Sequence, residues 1–274
     1  MASPAEHASS PAEGIITSSD PLPAGFLSAP HDTLARFVSA ETFLFDSDDT
    51  IYCYNPHFEH AVKRAALVEL SDGIPKDVVR DTLHAFDTAE VLPMSPKATI
   101  REHLGETGVA AYYLACASLF ESMNTPDSVI FDEGALSLIE YAHADGRGLG
   151  VISNNSAING ERILRYLRDK TGIDLIGRAV FMGETEVKKP HTEGFRRYTQ
   201  LDGAGPTNGP FVYIGDIFED LEFATNIGAL GILHGAEARK NPSGDSTETH
   251  ILVSDLMSAH AYLADTHPVT QSQP

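Results

Sequence analysis

Six short apolar runs, each rich in β-branched or aromatic residues, constrain the fold of this chain more than any other feature. They cover residues 42–46, 149–153, 178–182, 211–216, 229–234 and 249–253. Amphipathic segments with helical spacing come directly before four of these runs, at residues 133–144, 158–170, 190–200 and 217–227. Short strands that alternate with helices are typical of a parallel sheet covered by helices on both faces. The sequence therefore predicts an α/β fold.

The segment after the first run departs from this alternation. From residue 56 to about residue 127 the apolar residues recur three and four apart, which predicts helices and no strand. We therefore divide the chain into a flexible leader, a two-part α/β core, an inserted helical cap and a flexible tail. These regions are residues 1–35, residues 36–55 with 128–265, residues 56–127, and residues 266–274, respectively.

Composition excludes some classes of partner. The formal net charge of −20 over 274 residues repels nucleic acid polymers and anionic membranes. The two cysteines, Cys53 and Cys116, are far apart and form no disulfide or zinc pattern, which fits a reducing compartment. The first 35 residues contain no Lys or Arg and no long apolar run, so we expect no signal peptide and no membrane span. A cytoplasmic protein is the resulting expectation.

Carboxylates follow two of the predicted strands. Asp46 and Asp48 come after the first run, Asp216 ends the run at 211–216, and Asp220 lies four residues further on. In open α/β sheets ligands bind at the carboxyl ends of the strands. If these two strands are neighbours, the carboxylates converge and repel one another unless a cation binds between them. Oxygen ligands of this kind favour Mg²⁺ over zinc.

Two other interpretations of the aspartates are weaker. Aspartates at strand-to-helix turns often cap helices, and we expect Asp49 to do this or simply to be solvated. Capping alone leaves the coincidence of Asp46, Asp48 and Asp216 at strand ends unexplained. A calcium loop of the EF-hand type needs Gly where Ile51 stands and Glu where His57 stands.

Two further segments suggest phosphate binding. Ser153 and Asn154 follow the strand at 149–153, where a hydroxyl and backbone N–H groups can hold a phosphoryl oxygen. Lys189 precedes Pro190 at a predicted helix start, where its charge can neutralise phosphate and carboxylates. Each signal is weak alone, because Ser and Asn are also common turn residues.

Taken in order, these segments resemble the four motifs of the haloacid dehalogenase-like superfamily, specifically its members with a C1 cap. The motifs are a strand followed by Asp46-Ser47-Asp48-Asp49-Thr50, a strand ending in Ser153 with Asn154, Lys189-Pro190 with Phe195, and Gly215-Asp216 with Asp220. The resemblance spans residues 40 to 265. It implies a three-layer α/β/α sheet of Rossmann type with an inserted helical cap.

The resemblance also implies roles in phosphate ester hydrolysis. Asp46 would be the nucleophile and form an aspartyl-phosphate, and Asp48 would be the general acid and base. Asp46, the backbone carbonyl of Asp48, Asp216 and Asp220 would bind Mg²⁺, with Asp220 binding directly or through water. Dehalogenases of this superfamily lack an acid at the second aspartate, so the presence of Asp48 indicates a phosphohydrolase.

The remaining phosphoryl contacts and the substrate follow the same resemblance. Ser153, Asn154 and Lys189 would hold the phosphoryl oxygens. The substrate would be a small phosphorylated metabolite of nucleotide or sugar phosphate type. Tyr52 and Tyr54 are candidate substrate contacts or hinge-packing residues.

His57 is a further candidate substrate contact, or a residue on an ordinary helix face. Two other functions remain open for the whole chain: a phosphomutase, and a non-catalytic binding or regulatory protein. The oligomeric state is open as well.

Overall fold

Nine strands occur in the part of the chain that the computed structural model describes, residues 21–88, 97–240 and 250–269. They are β1 (Phe26–Ser28), β2 (Thr42–Phe45), β3 (Tyr52–Tyr54), β4 (Val129–Phe131), β5 (Gly148–Ser153), β6 (Ala179–Phe181), β7 (Phe211–Gly215), β8 (Leu230–Leu233) and β9 (His250–Val253). The six runs read from the sequence correspond to β2 and β5–β9.

Seven of these strands form one sheet, in the order β1-β9-β8-β7-β2-β5-β6. All neighbouring pairs are parallel except β1 with β9. β3 and β4 form a separate antiparallel pair. After β2, the chain adds β5 and β6 on one side of β2 and then β7, β8 and β9 on the other side. This reversal opens a crevice at the carboxyl end of β2, where α/β sheets bind ligands.

Ten α-helices accompany these strands in the same described residues. They are α1 (His31–Val38), α2 (Pro56–Glu69), α3 (Lys76–Thr88), α4 (Lys97–Met123), α5 (Glu133–Ala144), α6 (Ala157–Thr171), α7 (Glu193–Tyr198), α8 (Phe218–Ile227), α9 (Gly235–Lys240) and α10 (Leu256–Thr266). α4 is broken at Gly105, whose φ of 66° is not helical. None of these helices has the length and apolar character needed to span a bilayer.

The alternation of side chains along β2 produces three layers. Phe43 and Phe45 face a core formed with α1, α5, α6 and α10, whereas Leu44 faces a second core formed with α7 and α8. Successive side chains of a strand point to opposite faces, so a fully apolar strand must be covered on both. The predicted three-layer α/β/α fold is confirmed.

The helices α2, α3 and α4 lie in the chain between β3 and β4 and pack on one another. Their own core includes Leu67, Ile74, Ile100 and Tyr112. α2 begins at an Asn55 cap, whose side-chain oxygen accepts from the His57 N–H at 2.9 Å. These bounds agree with an insert at residues 56–127, and its identity as a cap remains a proposal.

The predicted leader was too long. Residues 1–20 lie outside the described part, but β1 pairs with β9 at the edge of the sheet and α1 buries Leu34 and Phe37 in the core. The leader was overestimated because β1 has only three residues and α1 only eight, too few for a clear sequence period. At the other end, the Tyr141 hydroxyl donates to the His267 carbonyl, so the predicted tail begins inside the packed fold. Residues 270–274 lie outside the described part.

Candidate active site

Three adjacent strand ends supply the polar residues of the crevice. Asp46 follows β2, Ser153 ends β5, and Asp216 follows β7. The pairing of Phe45 with Val151 and with Ile214 aligns the three ends. The convergence expected from the sequence is therefore present.

Three carboxylates form what we call the acidic centre: Asp46, Asp216 and Asp220, together with the ammonium of Lys189. One oxygen of each carboxylate lies within 4.8 Å of the others. Thr50 donates from its hydroxyl to Asp216 at 3.4 Å. Asp48 is near this group, but its side chain is not part of it among the described residues.

Lys189 neutralises part of this charge from a buried position. Its Nζ lies 2.7 Å from Asp46 Oδ1, 2.7 Å from Asp220 Oδ1 and 2.8 Å from the Tyr213 hydroxyl. The Asn154 side-chain oxygen accepts from the Lys189 N–H at 2.9 Å and so fixes the backbone that carries the ammonium. Burial alone would lower the pKa of Lys189, but the charges of Asp46 and Asp220 outweigh it and raise that pKa. The lysine is held as a cation.

Asp220 reaches the centre because Gly215 has no side chain. A Cβ at Gly215 would lie 2.3 Å from the Asp220 carboxylate, so any other residue would displace it. One oxygen of Asp220 contacts Lys189, and the other accepts from the N–H groups of Asp216 and Ile217 at 3.2 and 3.3 Å. Both oxygens are thus already engaged at the start of α8.

Excess negative charge leaves the centre suited to a cation. Burial raises the pKa of Asp216 to about 7, with further contributions from Asp220 and Asp46. Burial also raises the pKa of Asp220, and Asp46 adds to the effect. Asp46 Oδ1 is buried, and the ammonium of Lys189 lies 2.7 Å from it. Three carboxylates against one ammonium leave negative charge in excess, which fits a hard divalent cation.

Asp48 has different surroundings from the acidic centre. Its Oδ1 accepts from the Tyr52 hydroxyl and lies 3.3 Å from Asn155 Nδ2, and its Oδ2 lies 2.9 Å from the Ser47 hydroxyl. Burial raises the pKa of Asp48 to about 6, and the charge of Asp46 contributes. This carboxyl group can therefore hold and release a proton near neutral pH.

The comparison with known proteins agrees with this site. A model of the haloacid dehalogenase-like hydrolase family matches residues 40–228 and so includes all four motifs. The chain belongs to the haloacid dehalogenase-like hydrolases. The resemblance read from the sequence is confirmed. No curated protein sequence matches the chain.

Several solved structures of this fold are similar to the chain. A provisionally assigned phosphatase from Clostridium difficile has a TM-score of 0.58 at 18% identity, with 82% of this chain and 98% of that one covered. A provisionally assigned β-phosphoglucomutase from Bacteroides vulgatus has a TM-score of 0.53 at 14% identity, covering 86% and 97%. A provisionally assigned hydrolase of the same family from Bacteroides fragilis has a TM-score of 0.53 at 18% identity, covering 81% and 100%. Such identities establish a common fold and no common substrate.

In this haloacid dehalogenase-like hydrolase a cleft of about 550 Å³ opens beside Asp48. Six of the residues that line it form what we call the cleft wall: Tyr54, Phe120 and Glu121, together with Asn155, Ser156 and Asn159 in the turn before α6 and in its first turn. Tyr54 and Phe120 stack with ring centroids 4.5 Å apart. The wall therefore joins an aromatic surface, made by Tyr54 of β3 and Phe120 of the insert, to amide and hydroxyl groups at the start of α6.

Hydrogen bonds hold the two parts of the wall together. The Ser156 hydroxyl donates to Glu121 at 2.7 Å. The buried Asn159 donates to the Tyr54 hydroxyl at 2.5 Å and accepts from Asn124 at 2.9 Å. The end of α4 is thus tied to the start of α6 next to the cleft.

The structure separates the three predicted substrate residues. Tyr54 lines the cleft, as a substrate contact would. Tyr52 is buried, and its hydroxyl is bonded to Asp48, so it does not face the cleft as we expected. His57 is exposed at the start of α2 and is not among the described residues that line the cleft. The burial of Tyr52 and the exposed position of His57 match the alternatives left open for them, packing and an ordinary helix face, and a substrate contact by either residue stays a prediction.

The predicted phosphate-binding residues lie close to the centre, in different states. Ser153 is buried, and its hydroxyl accepts from Ser47 at 2.7 Å and from the Asn155 N–H at 3.2 Å. Asn154 binds the backbone of Lys189, which is a positioning contact. Asn155, which the sequence interpretation missed, contacts Asp48 itself. The only available signal for it was its place in the same turn as Ser153 and Asn154.

Proposed function

We propose that the protein is a Mg²⁺-dependent phosphohydrolase that acts on a small phosphorylated metabolite through an aspartyl-phosphate. One observation carries the proposal: the acidic centre and its buried lysine lie beside a separate carboxyl group that can be protonated near neutral pH. A nucleophile, a cation site and a proton donor are the groups that phosphate ester hydrolysis needs.

Asp46 and Asp216 would hold the metal ion, together with the backbone carbonyl of Asp48. Asp220 would act through water, because its two oxygens already contact Lys189 and two backbone N–H groups. When bound, Mg²⁺ supplies positive charge that lets an anionic phosphate approach these carboxylates.

In the first step a carboxylate oxygen of Asp46 attacks phosphorus and forms a P–O bond. The bond from phosphorus to the leaving oxygen breaks, and its electron pair stays on that oxygen. Asp48 gives its proton to the same oxygen, so the alcohol leaves neutral. The opposite surroundings of the two aspartates support this division: an ammonium contacts Asp46, whereas Asp48 has the raised pKa of an acid.

In the second step Asp48, now a carboxylate, takes a proton from water. The water oxygen attacks phosphorus, the bond to Asp46 breaks, and phosphate and the free carboxylate of Asp46 are restored. Lys189 and the Ser153 turn would hold the phosphoryl oxygens during both steps, which is the positioning that phosphoryl transfer chiefly requires. Asn154 contributes by fixing Lys189.

The substrate would be a small phosphate ester of nucleotide or sugar phosphate type. The cleft of about 550 Å³ lies within the range of small-molecule sites, and the wall offers both aromatic and hydrogen-bonding groups. The net charge of −20 disfavours a nucleic acid polymer as substrate.

The test is phosphate release from p-nitrophenyl phosphate and from a panel of phosphorylated metabolites, with Mg²⁺ and with EDTA. We expect release only with Mg²⁺, and a loss of at least about 1,000-fold in Asp46→Asn. Asp49→Asn is the matched control, because this neighbouring aspartate is exposed and lies outside the acidic centre. Undiminished release in EDTA or by Asp46→Asn would refute the proposed mechanism.

A further inference from the structure

Tyr52 makes a contact that hydrolysis of a phosphate ester does not by itself require. Its hydroxyl donates to Oδ1 of Asp48, and its buried ring packs edge-on against Tyr54 at 5.5 Å. The chain turns back on itself to make this contact: the Asp49 N–H donates to the Tyr52 carbonyl at 2.7 Å. Tyr52, four residues after Asp48 in the chain, is thus brought back onto the carboxyl group of Asp48.

Asn155 fixes the direction of this hydrogen bond. Its side-chain oxygen accepts from the Ser156 N–H at 2.7 Å, and a backbone N–H can only donate. The amide nitrogen must therefore face the other way, where it donates to the Tyr52 hydroxyl at 2.8 Å. Because that hydroxyl accepts from Asn155, its own hydrogen is directed to Asp48.

The two oxygens of Asp48 are consequently unequal. Oδ1 receives the Tyr52 hydroxyl and faces the Asn155 amide at 3.3 Å, so a proton on Oδ1 would point at donors. In the described part of the chain, the hydrogen-bond partner of Oδ2 is the Ser47 hydroxyl, 2.9 Å away. A hydroxyl can either donate or accept, and Ser47 can turn its hydrogen to Ser153, 2.7 Å away.

We infer that Tyr52, held by Asn155, is a positioning residue that makes Oδ2 of Asp48 the oxygen that carries and delivers the proton. This inference rests on the proposed function, since it assigns the atom that performs the acid step. In that step the proton moves from Oδ2 to the leaving oxygen as the P–O bond breaks, and the electron pair of that bond stays on the leaving oxygen.

The inference has a chemical consequence that a packing role lacks. An alkoxide is a poor leaving group and needs the proton, whereas a dinitrophenolate leaves without it. Loss of the Tyr52 hydroxyl should therefore slow the hydrolysis of alkyl phosphates and spare that of activated aryl phosphates. A residue that merely stabilises the fold would affect both alike.

The experiment measures kcat/KM of Tyr52→Phe with Mg²⁺ on 2,4-dinitrophenyl, p-nitrophenyl, phenyl and ethyl phosphate. We expect kcat/KM to fall by about 10- to 100-fold on ethyl phosphate, which is less than the full loss of a general acid would cause. On the dinitrophenyl ester it should fall by less than about 2-fold. Asn155→Ala should show the same dependence on the leaving group, because it frees the tyrosine hydroxyl. Asn155→Ala also keeps the test valid if Tyr52→Phe does not fold.

Tyr141→Phe is the matched control, because it removes a hydroxyl that donates to the His267 carbonyl at 2.6 Å, away from the cleft. This variant should leave unchanged the way in which kcat/KM depends on the leaving group. If Tyr52→Phe and Asn155→Ala lose kcat/KM equally on all four esters, or lose none on ethyl phosphate, the inference is overturned and the proposed function is not affected. Failure of the unaltered protein to release phosphate from any ester would overturn the proposed function and the inference together.

Discussion

The acidic centre and the cleft wall lie side by side, yet they are held in different ways. The centre consists of Asp46 and Asp216 at strand ends of the central sheet, Asp220 in the first turn of α8 and Lys189, and contacts between full charges join Lys189 to Asp46 and Asp220. The wall joins β3 and the end of the insert to the start of α6 through side-chain hydrogen bonds and one aromatic stack. The first region therefore depends on charge balance, and the second on packing and satisfied polar groups.

The difference separates the two tasks of a site. Charge contacts within the sheet fix the reacting atoms, because the strands cannot move relative to one another without breaking the ladder. The wall is anchored on one side by an insert with its own core, including Leu67 and Ile100, so its position depends on a few contacts. We expect variants of the centre to respond to Mg²⁺ and to pH, and variants of the wall to respond to neither.

The largest effect should follow the loss of the buried ammonium. Lys189→Met leaves Asp46 and Asp220 buried without their cation, which should lower the free energy of unfolding of the metal-free protein by about 3 kcal/mol. Added Mg²⁺ should restore part of the loss, because it supplies positive charge at the same place. Urea unfolding with and without Mg²⁺ measures both effects.

The neighbouring lysine provides the control. Lys188 is exposed, and Lys188→Met should change the unfolding free energy by less than about 0.5 kcal/mol. Equal stability of Lys189→Met and the unaltered protein would contradict the view that charge balance holds the centre together.

The same contrast explains what could be predicted from the sequence. Asp46, Ser153 and Asp216 were predictable because each directly follows an apolar strand, and parallel strands end at one edge of the sheet. Asp49 also has a simple explanation. Its φ of 55° lies in the left-handed region, which Asp tolerates better than most residues, so the turn accepts an aspartate that has no place in the centre.

The wall and the contacts of Asp48 were not predictable. The periodicity of β3 is the same whether the Tyr52 hydroxyl faces the cleft or returns to Asp48. The contact of Asn159 with Asn124 joins residues 35 apart across two elements, and no local pattern encodes it. Helix and strand periods give the face of a residue but not its partner.

A smaller effect should follow the loss of the central amide of the wall. Asn159→Ala removes the donor to Tyr54 and the acceptor for Asn124, and so leaves buried polar groups unsatisfied. We expect a loss of about 2 kcal/mol in unfolding free energy, with no recovery in Mg²⁺. In kinetic assays KM should rise more than kcat falls, because the reacting atoms are held elsewhere.

Asn226→Ala is the control for that variant. Asn226 is exposed and donates to the Pro190 carbonyl at 3.0 Å, so its loss should cost less than about 0.5 kcal/mol. If Mg²⁺ rescues Asn159→Ala as well as it rescues Lys189→Met, the wall and the centre are one electrostatic unit and the comparison fails.

The smallest effect concerns pH. Burial and the charges of Asp220 and Asp46 raise the pKa of Asp216 from 3.8 to about 7, so the folded protein binds this proton more tightly than the unfolded chain. The resulting stability is complete below pH 3.8 and is lost as pH rises through about 7. Because Asp216 is only partly buried, we expect a loss of about 1 kcal/mol in the metal-free protein, well below the full value of the shift.

The variant Asp216→Asn has no carboxyl proton to lose at this position and should remove this part of the pH dependence. Other groups change the stability with pH in the opposite direction, such as His234, whose pKa is lowered by burial, and they contribute equally to both proteins. Saturating Mg²⁺ should reverse the trend in the unaltered protein, since a cation binds the deprotonated carboxylate. Urea unfolding of both proteins between pH 5 and 8, set by the raised value of about 7, measures the difference. Parallel pH curves for the two proteins would show that the charge balance of the centre does not include Asp216.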